Sequence, residues 1–145
     1  MILIPASKAI LKKAASDLCA SDLNEFHSME TGRDPVKVFS ELDPKGCHAI
    51  MLGALVVAVG GAGRHDIWFV TTNVVHTLTP QQRKQFYRIL KDHLSWVKHV
   101  HSGIHTNWVS VSNTNHIRLL TKLGATFNEG IFMSPAGFAF KQFWL

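Results

Sequence analysis

Cysteine and tyrosine are scarce in this chain of 145 residues. It contains two cysteines, Cys19 and Cys47, and a single tyrosine, Tyr87. The cysteines lie far apart in sequence and match neither a CxxC pair nor a zinc-ligand pattern, which argues against a dithiol redox site and a zinc module. We therefore expect reduced, buried thiols and a reducing compartment.

Long apolar runs are also missing. Residues 1–5 lack the charged start and extended apolar stretch of a secretory signal. The most membrane-like stretch, residues 49–63, is interrupted by glycines and is shorter than the roughly 18 apolar residues of a span. We expect no membrane span.

Charged residues make up only 17% of the chain and hydrophobic residues 46%, a globular composition rather than a disordered one. No linker, repeat or low-complexity segment is visible, so we expect a single domain over residues 1–145. The net charge of +5 permits an anionic partner, which leaves nucleic acid, a phosphate-bearing cofactor or another protein open.

Helical periodicity and capping residues predict four helices. Thr79 and Pro80 are a typical N-cap and first helical residue, and Phe86, Leu94 and Val97 fall on one apolar face. The predicted helices span residues 6–21, 34–42, 79–98 and 114–123.

Alternating or apolar runs bounded by turn residues predict the strands. Gly53 and Ala54 suit a two-residue hairpin turn between the first pair. The predicted strands are residues 47–52, 55–59, 66–71, 106–112, 125–133 and 138–145, with a further candidate at 1–4. Helices interleaved with these strands indicate a layered α/β (α+β) domain.

The most informative segment is 106–126, which reads as a strand, a capped helix and the start of another strand. Its Asn113, Lys122 and Gly124, together with the order of elements along the whole chain, resemble the GNAT N-acyltransferases. The resemblance implies a mixed, mostly antiparallel sheet with helices on both faces. It also implies that strands 66–71 and 106–112 splay apart around acetyl-CoA.

The same resemblance supplies candidate cofactor contacts. Backbone and side-chain groups on the first splayed strand, the start of the long helix and the following short helix would hold acetyl-CoA. The residues are Phe69, Val70, Thr71, Arg83, Lys84, Asn113 and Lys122. No metal is implied.

Two features depart from the GNAT pattern. The glycine-rich turn that binds the cofactor pyrophosphate is replaced by residues 72–80, which contain no glycine and include Pro80, a residue without an N–H. Leu120 stands where many members have the tyrosine that protonates the leaving thiolate. The catalytic residues therefore stay unassigned.

A general base is equally unassigned, because no spacing singles out one group near the amine that it would deprotonate. The conceivable candidates are His48, Glu41, His65 and Asp66.

A narrower resemblance rests on short segments that include residues 68–71, 113–118 and 124–127. They look like the small GNAT-like internal virion proteins of short-tailed (podovirus) bacteriophages. This resemblance implies a role in building an infectious particle, with other virion or host proteins as partners and a location in the virion or the host cytoplasm.

Three further patterns have mainly structural interpretations. His99, His101 and His105 match no standard metal-ligand spacing. Residues 60–63 favour a hairpin turn over a phosphate loop, because they lead into a strand rather than a helix. The stripe formed by Lys84, Arg88 and Lys91 is typical of a solvated helix face, with binding to DNA or an acidic protein as the alternative.

Three functional hypotheses follow. The first is a virion-associated or assembly accessory factor with a degenerate acyl-CoA site, and the second is an active acetyl-CoA-dependent N-acetyltransferase. The third is a host-protein or nucleic-acid binding module that uses the basic helix. Side chains filling the gap between the splayed strands would favour the first. The oligomeric state is left open.

Overall fold

The computed structural model describes residues 1–145, and its first half is built around a four-stranded antiparallel sheet. The strands are β1 (Ile2–Pro5), β2 (Cys47–Leu52), β3 (Leu55–Ala62) and β4 (Ile67–Thr71), paired in that order. Gly53 begins the β2–β3 turn with φ of +58°, which confirms the predicted hairpin.

A second sheet is formed by the strands that follow. β5 (Thr106–Ser110) and β6 (Thr126–Phe127) flank β8 (Ala139–Trp144), which also pairs with β7 (Phe132–Met133). All of these pairings are antiparallel. The predicted strand over 125–133 is therefore two short strands, and an Asn128 side chain that accepts from the Gly130 N–H bends the chain between them.

Helices cover both faces of the first sheet. α1 (Lys8–Ala15), α2 (Ala20–Met29) and α3 (Pro35–Glu41) pack on one face, and α4 (Pro80–Val100) packs on the other. α5 (Thr114–Lys122) follows β5 and packs on the second sheet through Leu120. The predicted mixed, mostly antiparallel α/β architecture is confirmed.

The predicted helix over residues 6–21 is correct for its first half, where α1 forms, and wrong beyond Ser16. The chain leaves α1 at Ser16, Leu18 forms a β-bridge with Thr72, and the Cys19 N–H donates to the Thr71 carbonyl at 2.9 Å. These strand-like contacts interrupt the apolar periodicity, and α2 begins after them. α2 itself was not expected from the sequence.

The hairpin turn expected at residues 60–63 begins later than predicted, because β3 continues through Ala62. A Cβ on Gly60 would lie 2.6 Å from the Trp68 carbonyl oxygen and 2.9 Å from the Phe69 Cβ. Gly60 thus permits close approach of β4 rather than a turn. The reversal toward β4 lies beyond Ala62, and no helix follows it, so the hairpin interpretation is correct.

The remaining boundaries lie close to their predicted positions. A short 3₁₀ helix, Asn73–Thr77, connects β4 to α4. No helix of the chain combines the length and the hydropathy needed to cross a membrane.

Candidate functional site

β4 and β5 meet at one end and part at the other. Asp66 and Thr106 form a single parallel bridge, in which the Thr106 N–H donates to the His65 carbonyl at 3.0 Å. The Asn107 side-chain amide donates to the Ile67 carbonyl at 2.8 Å. Beyond this joint the two strands belong to separate sheets, so the predicted splay of the two strands is present.

Two carboxylates of α2 span the open end of the gap. Asp22 accepts from the Thr71 N–H at 2.6 Å, and Glu25 accepts from the Ser110 N–H at 3.2 Å. The Asn113 amide donates to both, at 3.2 Å to Asp22 and 3.0 Å to Glu25. We call Asp22, Glu25 and Asn113 the carboxylate bridge, since they connect β4 to β5 where no backbone ladder does.

The placement of these carboxylates follows from the local structure of α2. Positions i and i+3 lie on one helix face, so Asp22 and Glu25 both point toward the gap. The start of the helix is fixed to β4 by the Cys19 N–H, and the Cys19 thiol lies 3.1 Å from the Thr71 hydroxyl. That hydroxyl also donates to Asp22 at 2.9 Å.

Burial raises the pKa of Glu25 to about 7, with a smaller contribution from the Asp22 charge. The hydrogen bonds from Asn113 and from the Ser110 backbone act in the opposite direction, because they stabilise the ionised form. Glu25 therefore titrates near neutral pH and can accept or release a proton there.

Cavities lie on both sides of the bridge. One of about 260 Å³ is bounded by α2, α3 and both sheets, and is lined by Glu25, Phe26 and Trp108 among others. The other, of about 240 Å³, lies toward α4. Phe69 and His116 line both, with ring centroids 4.5 Å apart. Burial lowers the pKa of His116, whose Nε2 has no hydrogen-bond partner.

A basic groove adjoins the α4 side of the gap. We use this name for the cavity of about 480 Å³ between α4 and α5, which Arg83, Lys84, Arg118 and Lys122 line. Its remaining lining residues are Tyr87, Asn115 and Leu119. No carboxylate lines it, so nothing within the groove neutralises its positive charge.

The start of α4 is closed by a capping box. The Thr79 hydroxyl accepts from the Gln82 N–H at 3.2 Å, and the Gln82 side chain accepts from the Thr79 N–H at 2.9 Å. Pro80 has no N–H, so among the first three helical positions only Gln81 retains a backbone donor for other use.

The cofactor contacts predicted from the sequence fall into three places. Phe69, Thr71 and Asn113 lie at the gap, and Arg83, Lys84 and Lys122 lie in the basic groove. Val70 is buried with α1 and α3 in the core of the first sheet and also lines the cavity of about 260 Å³. The structure thus brings all seven residues to the gap and its adjoining groove.

The remaining predicted residues lie elsewhere. Arg88 and Lys91 are exposed farther along α4, outside the groove lining. None of the four candidate bases lines either gap cavity. Those four are His48, Glu41, His65 and Asp66.

Sequence reasoning overlooked the carboxylate bridge acids. The signal that marks them is the i, i+3 spacing of two acidic residues within an amphipathic segment. This spacing has meaning only on a helix, and the sequence patterns predict no separate helix at α2. Leu120, at the position of the GNAT acid, is fully buried against Val109 and Phe143.

No group of three or more metal-ligating side chains occurs in the structure. His101 and His105 face each other with ring centroids 6.2 Å apart, and the His105 ring is fully buried. In this segment, His105 is therefore a core residue and His101 packs beside it.

Comparison with solved structures identifies the class. The ribosomal-protein-alanine N-acetyltransferase of Brucella melitensis superposes with a TM-score of 0.71 at 10% identity, covering 99% of this chain and 98% of that one. A Bacillus subtilis acetyltransferase, solved in complex with CoA, gives 0.55 at 11% identity, covering 99% and 95%. The fold is that of the GNAT acetyltransferases.

Within that class, the particular family is shown by sequence. Residues 46–131 match the family described as "Bacteriophage T7, probable scaffold protein Gp13", and the chain belongs to this family. The "Probable scaffold protein gp13" of Escherichia phage T7 is 30% identical over 87 residues. That match covers 60% of this chain and 62% of the relative, so it spans less than two thirds of the relative's length.

Proposed function

We propose that this protein is a bacteriophage assembly accessory factor, associated with the virion or acting on it in the host cytoplasm. In this role the GNAT fold serves as a framework rather than as a catalyst. Membership of a family described as a scaffold protein supports the assembly role. Its partners would be other virion proteins or host proteins.

The observation that carries the non-catalytic part of the proposal is the carboxylate bridge. The thioester and pantetheine carbonyl oxygens of an acyl-CoA entering between β4 and β5 need free backbone N–H groups along the gap. The Thr71 N–H is bound by Asp22 and the Ser110 N–H by Glu25. The Trp108 N–H is bound at 2.8 Å by the side-chain oxygen of Asn107. These three donors are committed within the chain and are not free to bind acetyl-CoA.

Two further features of the structure do not suit the binding and turnover of acetyl-CoA. The capping box occupies most of the N–H groups that would otherwise bind a pyrophosphate at the start of α4. Leu120 is enclosed in the core and has no proton to donate. The acyl-CoA site is therefore degenerate in this proposal.

A second candidate, amine N-acetylation, is favoured by one observation. Glu25 lines the cavity of about 260 Å³ and has a pKa near neutrality, which suits a general base that deprotonates an amine. In this reading the basic side chains Arg83, Lys84 and Lys122 would face the cofactor phosphates.

Calorimetric titration with acetyl-CoA separates the two candidates. We expect no saturable heat up to millimolar cofactor and no shift of the thermal midpoint, because the Thr71, Trp108 and Ser110 N–H groups at the gap are already bound. Saturable binding by the wild-type protein, with release of free CoA in the presence of an amine, would instead establish the acetyltransferase.

A genetic experiment tests the assembly role. In a phage deleted for this gene, we expect particles of reduced infectivity, rescued by the wild-type protein and equally by the Glu25→Gln variant. Mass spectrometry of purified particles and of assembly intermediates should detect the chain. Full infectivity after deletion would refute the role, and failure of Glu25→Gln to rescue, with normal protein levels, would point to catalysis.

A further inference from the structure

We propose that the basic groove binds the phosphodiester backbone of nucleic acid. Arg83 and Lys84 of α4 face Arg118 and Lys122 of α5 across this groove of about 480 Å³. All four side chains are exposed. Arginine and lysine from two rigid helices are the groups that neutralise phosphates in nucleic-acid complexes. This inference does not depend on the proposed assembly role.

The positive charge of the molecule is concentrated at this surface. α4 has five basic residues and one acidic residue, and α5 has two basic residues and no acidic one. Their combined excess is larger than the +5 of the whole chain, so the remainder of the protein has no net positive charge. The field that steers an anion therefore originates from these two helices.

The groove also has an extension. Lys84, Arg88 and Lys91 recur along one side of α4 and are all exposed. They carry the positive charge about 10 Å along the helix axis, given the rise of 1.5 Å per residue. An extended row of charge matches a repeating backbone of phosphates better than it matches one compact diphosphate.

The lining chemistry favours nucleic acid over an acidic protein. Leu119 and the Tyr87 ring supply the apolar surface of the groove, and the other lining residues are basic or amide side chains. The centre of a protein–protein interface is depleted of charge and rich in apolar area. Asn115 adds an amide that can hydrogen-bond to phosphate or sugar oxygens.

Fluorescence anisotropy with a labelled 20-mer of single-stranded DNA and its duplex provides the test. The groove variant Arg118→Glu/Lys122→Glu is compared with Lys12→Glu/Lys37→Glu, which makes the same charge change at exposed positions of α1 and α3 on the opposite face of the sheet. We expect at least about a tenfold loss of affinity in the groove variant and less than about threefold in the control. The slope of log affinity against log salt should fall by about two in the groove variant.

Three results would overturn the proposal. They are no binding of either DNA by the wild-type protein, equal losses in the two variants, and wild-type binding to polyglutamate of equal charge as tight as to DNA. Thermal melts of both variants establish that they are folded. The milder Arg118→Gln/Lys122→Gln variant should show an intermediate loss, which keeps the test valid if the glutamate variant does not fold.

Discussion

Glu25 connects the structure of the gap to solution pH. It is the one carboxyl whose pKa is raised to about 7, chiefly through burial, and it lies between the backbone of β5 and Asn113. A carboxyl with a raised pKa retains its proton longer in the folded state than in the unfolded chain. The free energy of unfolding should therefore decrease as pH rises from about 4.5 toward and through about 7.

The Glu25→Gln variant should remove this dependence. The amide cannot ionise, and its oxygen can still accept from the Ser110 N–H. We expect the variant to be more stable than the wild type at pH 8, by at most about 3 kcal/mol, which is the free-energy equivalent of the pKa shift. The two proteins should converge near pH 4.5.

Urea denaturation at several pH values measures this difference. Glu30→Gln is the matched control, because Glu30 is exposed at the C-terminal end of the same helix. If the wild type and Glu25→Gln keep parallel stability profiles between pH 5 and 8, Glu25 does not ionise as described.

At the scale of elements, local signals predicted α4 and α5 well and missed α2. Thr79 and Pro80 mark the start of α4, and Asn113 caps α5 by accepting from the His116 N–H at 3.2 Å. α2 has no side-chain cap, since the Cys19 thiol at its start accepts no bond from a backbone N–H of the helix. Its start is instead set by contacts with β4, which is distant in sequence and therefore invisible to local patterns.

The capping box of α4 provides a prediction at this scale. Replacing Thr79 with alanine removes the acceptor of the Gln82 N–H, and we expect a loss of about 1 kcal/mol in the free energy of unfolding. Thr79→Ser keeps the hydroxyl and should lower the free energy of unfolding by at most a few tenths of a kcal/mol. Chemical denaturation measures both variants, and equal losses would show that the methyl group rather than the cap is responsible.

At the scale of the whole molecule, the fold could be predicted from the sequence, whereas the carboxylate bridge between its two sheets could not. Element order and the 106–126 segment predict the GNAT arrangement, because helix and strand periodicities are local. The carboxylate bridge joins residues separated by 49 to 91 positions, and its donors include main-chain N–H groups that no residue type identifies. Asp22 and Glu25 also lie outside the 46–131 segment that defines the family.

Asp22 should contribute strongly to global stability. It is buried and accepts from the Thr71 N–H, the Thr71 hydroxyl and the Asn113 amide. Asp22→Ala removes three hydrogen bonds and leaves the Thr71 N–H unpaired, and we expect a loss of about 3 kcal/mol. Hydrogen exchange should also show faster exchange at the Thr71 N–H.

The exposed Glu41→Ala is the control for Asp22→Ala and should change the free energy of unfolding by less than about 0.5 kcal/mol. A loss in Asp22→Ala that is no larger than in Glu41→Ala would mean that the bridge does not hold the sheets together.

The bridge between Asp66 and Thr106 is a pivot beyond which β4 and β5 diverge. The tip at Thr71 lies five residues from this pivot, or roughly 17 Å of extended chain. A rotation of only about 10° would move the tip by roughly 3 Å, as much as the whole length of a hydrogen bond. The carboxylate bridge therefore holds the two strands at the point of greatest leverage, where even a small rotation would break its hydrogen bonds.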